Sequence, residues 1–199
     1  LFDKPDPLNG PYFEETLYVT PSQLASSTQE RVATTISSAC RALGLREGPV
    51  HAEARITAAG DVQIIEAAAR TIGGKCSKAL QFSSGTTLEE LVLRRALGEW
   101  VEAPRLEGAS GVMMLPIHAS GRLSRVEGRD RALDVPGVTA LEISIPIGHC
   151  VQALPEGDRY LGFLFARAST PGEVELALRR GYDELEIVID PASAGGAPR

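Results

Sequence analysis

The stretch "VHAEARITAAGDVQIIEAAARTIGG", Val50 to Gly74, holds two strand-like apolar runs around an Ala59-Gly60 turn, and each run carries one glutamate, Glu53 and Glu66. With Ala59-Gly60 as a two-residue loop, Glu53 and Glu66 stand directly opposite on one face, their Cβ atoms ~4.5–5.5 Å apart. A three-residue loop would move the pairing by one residue and lose the match. Like charges opposed on paired strands are destabilising unless one carboxylate takes up a proton or both share a cation. Magnesium fits the second case, since it favours one or two carboxylates with phosphate and water oxygens at ~2.0–2.1 Å.

Strand alternation predicts His51, Glu53 and Arg55 on one face, with Ile64, Glu66, Ala68 and Arg70 on the facing side of the partner strand. The guanidinium fork of Arg70 suits a phosphoryl or carboxylate oxygen. The loop "TIGGKCSK" follows at once; Gly73 and Gly74 permit close backbone approach to a ligand. Lys75 and Lys78 are two of the three lysines in the chain, so positive charge gathers there. Cys76 between them has no identifiable base beside it, and His118 and His149 lie in strand-like runs without clustered ligands. Trp100 and the Met113-Met114 pair read as core or interdomain packing.

Composition bounds the rest. An apolar share of 43% and a charged share of 23% are those of an ordinary globular protein. A formal net charge of −6 without blocks of like charge argues against a nucleic-acid partner. No apolar run has the length needed to cross a bilayer, and no signal peptide opens the chain. Cys40, Cys76 and Cys150 are widely spaced and odd in number, which suggests reduced thiols and a cytoplasmic location. The chain opens on Leu1 within "LFDKPDPLNGPYF" and reads as a piece of a longer polypeptide.

Pro5, Pro7, Gly10 and Pro11 mark an opening loop, followed by a strand in "YFEETLYVT". A helix is expected from Pro21 through Leu43, ended by Gly44, with Val32, Ile36, Ala39 and Cys40 on its apolar stripe. After the hairpin and its loop, "TLEELVLRRALG" predicts a second helix, with Thr87 and Glu90 at capping-box spacing. From about residue 102 the chain becomes a series of short strands, with one helix begun by Thr170-Pro171 and a closing strand in "ELEIVID". The expected class is α+β: residues 1–101 an antiparallel sheet with helices, 102–190 a small β-rich domain with one or two helices, and 191–199 a disordered tail.

"GPVHAEARIT…GDVQIIEAAARTIGG" resembles the metal-binding hairpin of the ATP-grasp superfamily, and its Glu-x-Ala-Ala-Arg-x-Gly-Gly form resembles that of the L-amino-acid ligases. "DKPDPLNGPYFEETLYVTPS" is similar to their lead-in, and "GHCVQALPEGDRYLGFLFARASTPGEVELALRRG" to their small C-terminal domain. The resemblance implies the C-terminal part of an ATP-grasp domain followed by that small domain. It also implies ATP and one or two magnesium ions as cofactors, with small-molecule carboxylate and amine substrates. Within it, Glu53 and Glu66 match the metal ligands, with Glu66 bridging two ions, and Arg70 matches the arginine that touches the transferred phosphoryl group. Ile65 matches the apolar residue under the adenine, Gly73 and Gly74 the loop near the amino-acid substrate, and His51 the family's histidine. Ala68 stands where the superfamily has a metal-ligating asparagine. The implied reaction is carboxylate–amine ligation through an acyl phosphate. A biotin-carboxylase-like enzyme and a fragment inactive without its N-terminal region are the alternatives.

Overall fold

The computed structural model describes residues 1–7, 11–12, 14–80, 82, 84–101 and 105–191. The expected tail falls outside these residues, apart from Pro191. Backbone contacts divide the chain into two compact units: Leu1 with Pro21–Glu107, and Phe2–Thr20 with Gly108–Arg199.

The second unit is built on a four-stranded antiparallel sheet in the order β1-β4-β8-β6, from β1 (Leu17–Thr20), β4 (Ala109–Leu115), β8 (Gly162–Ala168) and β6 (Val138–Ile143). A three-stranded sheet, β7-β5-β9, joins β7 (Cys150–Val151), β5 (Gly121–Glu127) and β9 (Glu186–Asp190). Every residue of β4 is buried, as its near-continuous apolar run requires. Helix α5 (Pro171–Asp183) lies on β4 and β8 and buries Val174, Ala177, Leu178 and Gly181. It starts as its sequence dictates: Pro171 takes the first turn, the Thr170 hydroxyl accepts from the Glu173 amide, and the Glu173 carboxylate accepts from the Thr170 amide. Close approach of α5 explains Gly111, where a Cβ would come within 2.7 Å of the Tyr18 carbonyl oxygen and 2.8 Å of a Val174 methyl. Leu17, Leu115, Leu123, Leu161, Leu164 and Leu178 form the centre of one apolar core, each worth about 1.5–3 kcal/mol on burial. A short helix, α4 (Arg129–Asp134), completes the unit.

The boundary thus differs from a simple division at residue 101. Phe2–Thr20 belongs with the C-terminal unit because β1 supplies an edge strand to β4, pairing Leu17 with Met113 and Thr20 with Ser110. Asp3 pairs with Val19, and Arg179 of α5 donates to Asp6 at 2.6 Å. The strand expected over "YFEETLYVT" is confined to its last four residues.

The first unit contains α1 (Ser26–Ala42), β2 (His51–Ile56), β3 (Val62–Ala68), α2 (Cys76–Ala79) and α3 (Leu88–Ala96). Helix α1 starts five residues after Pro21, with Ala25 as an uncapped N-terminus, and ends where Gly44 adopts φ +77°. In α3 the Thr87 hydroxyl accepts from the Glu90 amide, as the spacing predicts. Helix α2 falls within a stretch that reads as loop, because its four residues give no periodicity. Helix α1 packs against β3, and Arg31 reaches the Gly60 carbonyl at 3.5 Å.

Candidate metal centre

Strands β2 and β3 pair with Glu53 directly opposite Glu66, Ala52 opposite Ala67 and His51 opposite Ala68. The route to this register is not the expected two-residue turn. Thr57 pairs with Asp61 through the Thr57 amide at 2.9 Å, which leaves Ala58, Ala59 and Gly60 as a three-residue loop. The Gly60 amide bonds the Thr57 carbonyl at 2.9 Å, and Gly60 takes φ +87°, the left-handed conformation such a turn demands.

That loop alone would displace the carboxylates. Near the turn the pairs are Ile56–Val62, Arg55–Gln63 and Ala54–Ile64, one residue out of step with Glu53–Glu66. A bulge absorbs the difference: Ile65 is the extra residue on β3, lying between the partners of Ala54 and Glu53. The facing set is corrected accordingly. Gln63, opposite Arg55, lies on the Glu53 side, and Ile64, opposite Ala54, does not.

Ligand atoms of His51, Glu53 and Glu66 lie within 4.8 Å of one another. The His51 Nε2 is 3.0 Å from Glu53 Oε1, and both side chains are largely buried, which fixes the carboxylate's aim. Glu66 is half-exposed, and Arg70 donates to its Oε1 at 3.2 Å. Arg70 also bonds the Thr71 carbonyl at 3.0 Å, and a Cβ on Gly73 would lie 3.9 Å from its Nη1. The structure therefore groups His51, Glu53, Glu66 and Arg70, with Gly73 beside the guanidinium. Gly74 and Lys75 follow with φ +59° and +54°, turning the chain into α2. Ile65 is exposed on the bulge. Ala68 lies opposite His51 in the strand pairing and offers no ligand atom of its own.

The donor set fits a hard divalent cation: two carboxylate oxygens and an imidazole converge from adjacent strands, and a guanidinium borders them. Side chains of α2 and α3 are tied nearby in sequence, since a hydrogen bond from Ser77 holds the Glu89 carboxyl below its ordinary range. His118, by contrast, bonds the Tyr182 hydroxyl at 2.7 Å, and Met113 and Met114 are core residues. Trp100 is exposed rather than packed. Spacing gave no hint of a cavity of about 260 Å³ in the second unit, lined by Tyr12, Glu14, Glu15, Asp158, Arg159 and Tyr160 among others.

Comparison with known proteins bears on the family and the fold. Residues 1–79 match the family model described as ATP-grasp domain, and residues 113–190 the one described as L-amino acid ligase C-terminal domain 2. The structure is similar to that of an L-amino acid ligase from Bacillus licheniformis, with a TM-score of 0.80 and 28% identity over 91% of this chain and 46% of that one. It shares its fold with N5-carboxyaminoimidazole ribonucleotide synthetase from Thermotoga maritima, at TM-score 0.68 and 16% identity over 87% of this chain and 46% of that chain. An uncharacterized protein, y4rH, from Sinorhizobium fredii is 24% identical over 92% of this chain and 38% of its own length. The chain thus spans about half the length, or less, of the proteins it matches. By these matches and by its fold, the chain is similar to ATP-grasp proteins over residues 1–79 and to L-amino acid ligases over residues 113–190.

Proposed function

We propose that this chain is the C-terminal part of an ATP-dependent carboxylate–amine ligase acting on amino acids or similar small acids and amines. The observation that carries the reading is the opposed Glu53–Glu66 pair with Arg70 on Glu66. The match to the ligases' C-terminal domain favours this acceptor chemistry over a biotin-carboxylase-like one.

A carboxylate is a poor electrophile until one of its oxygens becomes a phosphate leaving group. ATP supplies that phosphoryl group, and an amine then displaces phosphate from the acyl phosphate to give the amide. Glu53 and Glu66 would hold a magnesium ion, whose charge would neutralise phosphate oxygens. The residues do the rest by position. His51 holds Glu53 in one orientation, and Arg70 exchanges its bond to Glu66 for one to the transferred phosphoryl group. Gly73 and Gly74 leave room for the amino-acid substrate, and Ile65 offers an apolar surface to the adenine. Ala68 has no ligand atom, so a second ion would have one protein oxygen fewer to hold it. The compartment expected is the cytoplasm; among the described residues no helix is long and apolar enough to cross a membrane.

Glu66→Gln in the full-length gene product tests the assignment. Amino-acid-dependent ADP release should fall by at least about 100-fold with the melting temperature unchanged. Normal turnover in that variant would refute the metal role. Glu53→Gln should act more mildly and raise the magnesium concentration needed for half-maximal rate.

A further inference from the structure

Two of the three donors at the acidic end of the hairpin come from one strand. His51 and Glu53 are two residues apart on β2 and so share a face. The His51 Nε2 lies 3.0 Å from Glu53 Oε1, and the two side chains are only 10% and 16% exposed. Two ligands at right angles on one ion, each about 2.1 Å from it, stand about 3.0 Å apart. The spacing of this pair is thus that of neighbouring corners of an octahedron as well as that of a hydrogen bond. A proton on Nε2 joins the two groups when no ion does, and an ion can take that proton's place.

The third donor comes from the partner strand. Glu66 stands opposite Glu53, and its ligand atom lies within 4.8 Å of both others. Its side chain is 44% exposed, so it has room to swing onto an ion that the buried pair has fixed. Arg70 engages Oε1 of Glu66, and a carboxylate has a second oxygen to offer. Opposite His51 stands Ala68, whose methyl group supplies no donor, so at that register the imidazole nitrogen is the side-chain ligand atom.

We infer that His51 is itself a metal ligand, and that the hairpin therefore takes manganese more tightly than magnesium. The inference rests on the metal role proposed above for Glu53 and Glu66, and it bears on which ion that role selects. Magnesium is a hard ion that binds through oxygen and gives up its water reluctantly. Imidazole is a softer donor that suits transition ions, and among these manganese shares magnesium's taste for carboxylate, water and octahedral geometry. Burial of the His51 ring makes the choice effective, because packing holds the nitrogen in place before the ion arrives.

Electron paramagnetic resonance on the 199-residue chain titrated with manganese, without nucleotide, tests it. The bound ion should show spin-echo modulation from a directly coordinated nitrogen, and His51→Gln should abolish that modulation. Because the glutamine offers an amide oxygen at similar reach, manganese should bind that variant at least about tenfold more weakly. Magnesium, read by its displacement of manganese, should keep its affinity. Glu66→Gln should weaken both ions alike. Bound manganese without nitrogen modulation would overturn the inference and leave the metal role of the glutamates standing. So would equal losses for the two ions in His51→Gln, provided its circular dichroism matches wild type; if it does not, the wild-type modulation alone decides. No manganese bound at millimolar concentration would overturn the inference and the metal role together. Because neither readout uses catalysis, nitrogen-bound manganese in a full-length protein that makes no amide would sink the ligase reading and spare the inference.

Discussion

The two units of this chain spend their apolar residues differently. The C-terminal unit buries six leucines in one cluster between its sheets and α5. The unit with the hairpin keeps Leu43, Ile65, Leu93, Leu97 and Trp100 exposed and organises its polar groups instead: His51 on Glu53, Arg70 on Glu66, Ser77 on Glu89. One region closes a core of its own, and the other gathers charged and polar groups on a frame with few buried apolar side chains among the described residues. Substitutions in the first should register as stability, and substitutions in the second as activity.

The largest stability effect should come from Leu164→Ala, at the centre of the closed core. A loss of about 2–5 kcal/mol is expected in denaturant unfolding of the 199-residue chain. A loss below about 1 kcal/mol would mean that this core is not continuous.

A smaller effect should come from the seam where Phe2–Thr20 joins the later sequence. Burial alone would push the Asp6 carboxyl up, but hydrogen bonds from Thr16 and Arg179, with the Arg179 charge, outweigh it and hold the group below its ordinary value. A carboxyl lowered on folding stabilises the fold above its unfolded value and loses that contribution as pH falls through the folded one. Asp6→Asn should therefore be less stable than wild type at pH 7, with the gap closing below about pH 4. A gap that stays constant down to pH 2 would show that the ion pair does not hold the seam.

The smallest effect should be Leu93→Ala, within about 0.5 kcal/mol in the 199-residue chain, because the side chain is already in water. A loss comparable with that of Leu164→Ala would erase the contrast between the units.

Local rules made much of this legible. Thr170, Pro171 and Glu173 specify the start of α5 within four residues, and Gly44 specifies the end of α1. The opposed glutamates could be read because strand pairing has a period of two. What escaped reading depends on distant partners. Nothing near Leu17 announces that it will pair with Met113, nor does anything near Asp6 name Arg179. The bulge escaped for a subtler reason. Two turn geometries compete for "TAAGD": the two-residue one sets Glu53 opposite Glu66 directly, and the three-residue one found here does so only because β3 carries Ile65 as an extra residue. The pairing was foreseeable; the path to it was not.

That adjustment has a practical consequence. Ile65 acts as a slip joint between the tip of the hairpin and its acidic end, so the outer pairs keep one phase and the inner pairs another. The exposed Ala58-Ala59 tip is then mechanically remote from the aim of Glu66. A peptide tag or a dye could be grafted there without moving the two opposed carboxylates.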